Sequence, residues 1–181
     1  MTRTLRLALL AAIGLAATYG LALAILGRAA GTERYVVIDG DTLELIPAHC
    51  GFNALGLGCR AQSLRLYGVD AFESGQTCRD ASDHPWPCGA VATERLKQLI
   101  AQSDFSCHVD PEFVDRHAHE FSICVAGDRD VGAVLVSEGL AFAYGRGAQY
   151  LPIEAKAKAE KRGAWAGHFV RPQYFRQGAT D

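Results

Sequence analysis

Apolar and polar residues alternate with a period of two through residues 34–39, 42–46, 63–69, 105–110 and 120–125, and turn-forming residues bound each run, which predicts five β-strands. The period changes to that of a helix over 89–101, where Val91, Leu96, Leu99 and Ile100 recur at near-helical spacing. A second helix is predicted over 131–138, ending at Gly139, a residue suited to the position just past a helix end. A third is predicted over 152–162, closed by Gly163. Five strands and three helices make an α+β domain. Ahead of them, residues 7–27 run about twenty positions without a charge, behind Arg3 and Arg6, which is the length needed to span a bilayer. This N-terminal hydrophobic helix has no polar face, which argues against a buried helix of a soluble core. Its uninterrupted length favours an uncleaved membrane anchor with the domain facing the periplasm or cell exterior. Ala22-Leu23-Ala24 would serve as a cleavage site in the alternative, a signal peptide followed by secretion. The chain thus divides into a leader at 1–30, one domain at 31–170 and a flexible tail at 171–181.

Composition is compatible with that division. At 181 residues and 49% hydrophobic content the chain can bury a sizeable core as one domain, for which a monomer is expected. Without Arg3, Arg6 and Arg28 the remainder has 15 basic against 20 acidic residues, a formal charge of about −5. Tight, metal-independent binding of nucleic acid is therefore not expected, because such affinity comes from a basic face displacing counterions. Lys156, Lys158, Lys161 and Arg162 on the last helix read as a solvated face. Six cysteines follow the leader, and an even number in an exported domain reads as disulfides. Sequential pairing is expected: Cys50 with Cys59 and Cys78 with Cys88, each closing a short loop, and Cys107 with Cys124, on neighbouring strands. A zinc site using His117 and His119 is the weaker reading, since no C-x-x-C spacing accompanies them.

The candidate chemistry lies in two stretches, VIDGDT at Val37–Thr42 and RLYGVDAFE at Arg65–Glu73, each a strand leading into an acidic turn. Asp-Gly between apolar residues is on its own an ordinary hairpin signal, and a strand ending in acidic residues is on its own a surface turn. Together the two stretches supply Asp41 and Asp70 as hard oxygen ligands for a calcium-type cation, Glu73 as a base, and Arg65 as a planar donor fork for phosphate. That combination points to phosphodiester hydrolysis.

VIDGDTLEL, RLYGVDAFESGQTC, CGAVATERLKQLI, VGAVLVSEGLAFAY and YLPIEAKAKAEKRGAW, in that order from about Tyr35 to Trp165, resemble the thermonuclease, or staphylococcal nuclease-like, family. The resemblance implies an OB-like five-stranded β-barrel carrying a calcium-dependent nuclease that cuts DNA and RNA to leave 3′-phosphate ends. It also implies that Asp41, Asp70 and the carbonyl of Ala71 hold Ca2+, that Arg65 binds phosphate and that Glu73 is the general base. The family's second arginine falls at His119: where the family reads approximately Asp-Arg-Tyr-Gly-Arg, residues 115–119 read Asp-Arg-His-Ala-His. Neutral histidine donates one hydrogen bond, and its ordinary pKa of ~6.5 leaves most copies uncharged at neutral pH. His119, Arg116 and Arg146 are the candidates for the missing charge. Phe72 stands where the family usually has proline. Trp165 and Phe142 read as packing residues, whereas Tyr144 and Tyr150, flanking the loop at 145–147, are as well suited to stacking on bases. The competing function, from a different class, is a binding module that keeps the barrel and has lost turnover.

Overall fold

The protein is described here by a computed structural model that covers residues 34–48, 60–114 and 120–180. The segment 7–27, the Cys50–Cys59 pair, and Arg116, His117 and His119 lie outside the described residues. Among the described residues no helix is long and apolar enough to cross a membrane. By its internal contacts the chain divides into two units, 1–34 with 47–59 and 35–46 with 60–181, and the architecture below is essentially that of the second.

The main sheet is built from β1 (Arg34–Val37), β2 (Thr42–Ile46), β3 (Gln62–Leu66), β7 (Phe105–Val114) and β8 (Glu120–Ala126), in the order β1-β2-β3-β8-β7. β3 and β8 pair in parallel, and the β2–β3 and β7–β8 pairs are antiparallel. A short β9 (Arg129–Asp130) pairs with β8. No hydrogen-bonded ladder joins β1 to β7 among the described residues. The two edges nevertheless meet: the Tyr35 and Phe105 rings pack edge to face with centroids 4.8 Å apart. This curled, partly open arrangement of five main strands, rather than a fully closed barrel, is what an OB-like sheet adopts.

Local chemistry explains where elements depart from the sequence pattern. Residues 63–69 do not form one strand, because Gly68 takes φ +71° and turns the chain between β3 and β4 (Val69–Ala71). β4 pairs with β10 (Ala141–Ala143), and β5 (Cys78–Arg79) pairs with β6 (Pro85–Trp86). Helix α1 spans Cys88–Ile100 and buries Ala92, Leu96 and Leu99, leaving Val91 on the solvent side of the expected face. Helix α2 spans Val131–Ser137, and the Asp130 carboxylate accepts from the Ala133 N–H at its start. Helix α3, Leu151–Ala159, stops before the expected residue 162. Lys161 adopts φ +52°, its N–H reaches the Lys158 carbonyl and the Arg162 N–H reaches the Ala157 carbonyl, which is a Schellman ending built without glycine. A fourth helix, α4 (Pro172–Phe175), opens with proline at its first turn and lies in the segment expected to be a flexible tail.

The core joins Leu43, Leu64 and Leu66 of the sheet to Leu96 and Leu99 of α1 and Val131, Leu135 and Val136 of α2. Phe72, Phe142, Trp165 and Phe169 form an aromatic cluster beside it, with ring centroids 5.1–5.7 Å apart. Trp165 and Phe142 are thus packing residues, as expected. Tyr150 joins them: it is buried, and its hydroxyl donates to the Asp130 carboxylate at 2.9 Å, whereas Tyr144 is exposed. Cys78–Cys88 and Cys107–Cys124 are disulfides, the latter directly opposed across β7 and β8.

Candidate active site

The turn between β1 and β2 divides its labour between two aspartates. Asp39 makes the turn: its carboxylate accepts from the N–H groups of Asp41 and Thr42 at 3.0 and 2.8 Å. Asp41 is thereby aimed inward and is only 3% exposed. Arg65 stands directly opposite Thr42 on β3. Period-two alternation sends Leu64 and Leu66 into the core and Ser63 and Arg65 to the other face. Asp70, 2% exposed, comes from β4. The β3–β4 turn at Gly68 therefore folds the chain back so that Arg65 and Asp70 meet.

One guanidinium nitrogen, Nη2 of Arg65, lies 3.1 Å from Asp41 Oδ2 and 3.1 Å from Asp70 Oδ1. Asp41 Oδ2 also accepts from the Ala71 N–H at 2.9 Å, and Oδ1 accepts from the Thr42 hydroxyl at 2.9 Å. Even so, burial pushes the Asp41 carboxyl up to about 7, Asp39 and Asp70 add to the rise, and Arg65 and the Ala71 N–H oppose it. Burial thus leaves the ionised form of Asp41 incompletely offset by its neighbours. Two carboxylates converging on one cationic nitrogen are the hard donor type a calcium-class ion takes, and such an ion would favour the ionised form of Asp41. Backbone carbonyls and water would have to complete its shell, since among the described residues no three acidic, histidine or cysteine side chains cluster to hold a metal.

Glu73 follows two residues after Ala71. Its N–H donates to Gln76 Oε1 at 3.3 Å, and its carbonyl accepts from the Gln76 N–H at 2.7 Å. The start of α1 presses on this turn: a Cβ at Gly89 would come within 1.6 Å of the Glu73 carbonyl oxygen, so only glycine allows the approach. Phe72, between Ala71 and Glu73, is fully buried against Phe142 and Phe169. Proline would fix this loop by restricting φ, whereas here a ring in the core anchors it.

The structure thus brings together Asp41, Arg65, Asp70, Ala71 and Glu73, and His119 lies outside the described residues. It adds two residues that the sequence pattern did not single out. Gln76, 1% exposed, also donates from Nε2 to the Val170 carbonyl at 2.6 Å, tying the Glu73 turn to the C-terminal segment. Arg176, just past α4, places Nη1 2.6 Å from Glu73 Oε1 and Nη2 2.9 Å from Asp70 Oδ1. Partial burial works against its charge, but the hydrogen bonds and charges of Glu73 and Asp70 outweigh that and hold its pKa above the usual arginine value. A cleft of about 400 Å³ opens over the group, lined by Asp39, Thr42, Glu44, Arg65, Glu73 and Arg176 among others. Arg146, on the turn after β10, is not among its lining residues.

The sequence model of the family described as staphylococcal nuclease homologue matches residues 63–167. The match takes in Arg65, Asp70, Ala71 and Glu73, while Asp41 and Arg176 flank it. It covers more than half of the 181 residues, and the chain therefore belongs to the staphylococcal nuclease homologue family, a family of nucleases.

Proposed function

We propose that this chain is an exported, calcium-dependent, non-specific nuclease that hydrolyses phosphodiester bonds in DNA and RNA. The observation that carries the reading is the meeting of Asp41 and Asp70 on one nitrogen of Arg65, with Glu73 joined to the same group through Arg176. Asp41, Asp70 and the Ala71 carbonyl would hold Ca2+, which supplies positive charge to polarise a phosphate. Arg65, permanently charged and forked, holds phosphate oxygens in the cleft. Glu73, at the cleft wall and partly exposed, takes a proton from the attacking water. The hydrophobic segment 7–27 would either anchor the domain outside the membrane or be cleaved to release it as a soluble monomer. The Cys78–Cys88 and Cys107–Cys124 disulfides support an oxidising compartment.

A binding module without turnover is the second reading, favoured by the acidic balance beyond the leader and by the engagement of both Asp70 and Glu73 with Arg176. Glu73→Gln separates the two. The amide keeps the shape and cannot take the proton, so the nuclease reading expects kcat on single-stranded DNA in calcium to fall about 100-fold or more, with substrate affinity retained. The module reading expects saturable binding by both forms and cleavage by neither.

A further inference from the structure

We infer that Arg176, supplied by the C-terminal segment, is the second phosphate-binding cation of this cleft. The inference rests on the reading of the cleft as a phosphodiester site. Asp39, Asp41, Glu44, Asp70 and Glu73 make its surroundings strongly anionic, and a phosphate entering it needs more than one compensating donor. Among the described residues lining the cleft, Arg65 and Arg176 are the basic ones. Both point a guanidinium nitrogen at the same atom, Asp70 Oδ1, at 3.1 and 2.9 Å, so the two nitrogens lie within about 6 Å of each other. Two guanidinium groups that close form a natural clamp for one phosphate, whose oxygens can accept from both.

The position of Arg176 is built by the fold. Its segment is held by the Gln76–Val170 bond, by mutual backbone bonds between Arg79 and His168, and by an Arg171–Glu154 ion pair at 3.0 Å. The Phe169 ring adds packing against Phe72 and Phe142. The Arg176 N–H bonds to the Pro172 carbonyl, which fixes its backbone at the end of α4. The Arg176 side chain is 34% exposed against 16% for Arg65, so it stands nearer the cleft mouth, where an incoming strand would meet it. Without substrate its fork rests on Asp70 and Glu73. Exchanging those carboxylates for phosphate oxygens keeps the guanidinium satisfied and frees Glu73 for water.

The test compares Arg176→Ala and Arg176→Lys in the full chain by two readouts. The first is kcat/KM on single-stranded DNA in calcium. The second is the salt dependence of binding to labelled single-stranded DNA, measured by anisotropy in the non-cutting Glu73→Gln background. Arg176→Ala is expected to lower kcat/KM about 100-fold or more and to make the slope of log affinity against log salt shallower by about 0.7, one lost phosphate contact. Arg176→Lys keeps the charge and loses the fork, so it should preserve the slope and recover part of the rate. A variant Arg176→Ala that cuts as fast as the parent or faster would overturn the inference and make the arginine a lock on Glu73, with the nuclease reading intact. A rate loss with an unchanged slope would also overturn it, reducing Arg176 to a prop of the Glu73 turn. Should the parent chain cut nothing, the nuclease reading fails and the slope alone decides: a shallower slope upholds the phosphate contact, and an unchanged one refutes it.

Discussion

Asp41→Asn is expected to lower calcium-dependent cleavage about 100-fold or more, the scale of losing a principal charge-organising group, while leaving the chelated chain at least as stable as its parent at pH 8. The two halves follow from one feature, the burial of a carboxylate whose charge is incompletely matched. In the fold the Asp41 carboxyl holds its proton up to about 7, against an ordinary value of 3.8. A folded pKa raised in this way stabilises the metal-free fold fully below about 3.8, and that contribution is lost as pH rises through about 7. At pH 8 in chelator the parent therefore carries an ionised group that its surroundings disfavour, with Asp39 and Asp70 adding to the cost. Asparagine removes the charge and can still accept from the Ala71 N–H. Thermal melts in chelator at pH 5 and pH 8, beside rates in calcium, check both halves. A variant that cuts like the parent, or that unfolds in chelator at pH 8, would contradict this account of Asp41.

Phe72→Ala is expected to produce the largest loss of stability, about 3–5 kcal/mol, because it removes a fully buried ring and leaves a cavity between Phe142 and Phe169. For a chain of this size that corresponds to a fall of about 10 °C or more in the melting temperature. Its effect on activity should be disproportionate. Phe72 lies between Ala71 and Glu73, so releasing its anchor releases the loop that carries the acidic group. The denaturation midpoint should drop with little change in slope, and turnover should remain impaired at temperatures where the variant is fully folded. Loss of turnover only in proportion to unfolded protein would show that the anchor stabilises without positioning.

The parts of the site that were legible in the sequence are those fixed by local rules. The Asp-Gly turn at residues 39–40 is both a hairpin signal and the device that aims Asp41, and alternation along β3 puts Arg65 on the face opposite Leu64 and Leu66. The Cys107–Cys124 pairing follows from neighbouring strands, and the register sets those two residues opposite each other. What was not legible depends on tertiary docking. Nothing in the polar segment after Arg171 marks Arg176 as part of a site, because its position is set by Gln76, Arg79, Glu154 and the Phe72–Phe142–Phe169 rings, all distant in sequence. The early end of α3 was hidden for another reason. Lys161 occupies the left-handed position that pattern reading assigns to glycine, and Gly163 serves a different need, since a Cβ there would come within 2.3 Å of the Glu138 carbonyl oxygen. Val91 shares the near-helical spacing yet is exposed, because packing against α2 and β7 buries the face that carries Ala92, Leu96 and Leu99.

The central claim is that the Asp41, Arg65, Asp70 and Glu73 cleft hydrolyses phosphodiester bonds with calcium. It is tested most directly by incubating the purified chain with end-labelled DNA and RNA, in calcium and in excess chelator. The account predicts fragments from both polymers in calcium and intact strands in chelator. Equal cutting in chelator, or intact strands under both conditions, would contradict it.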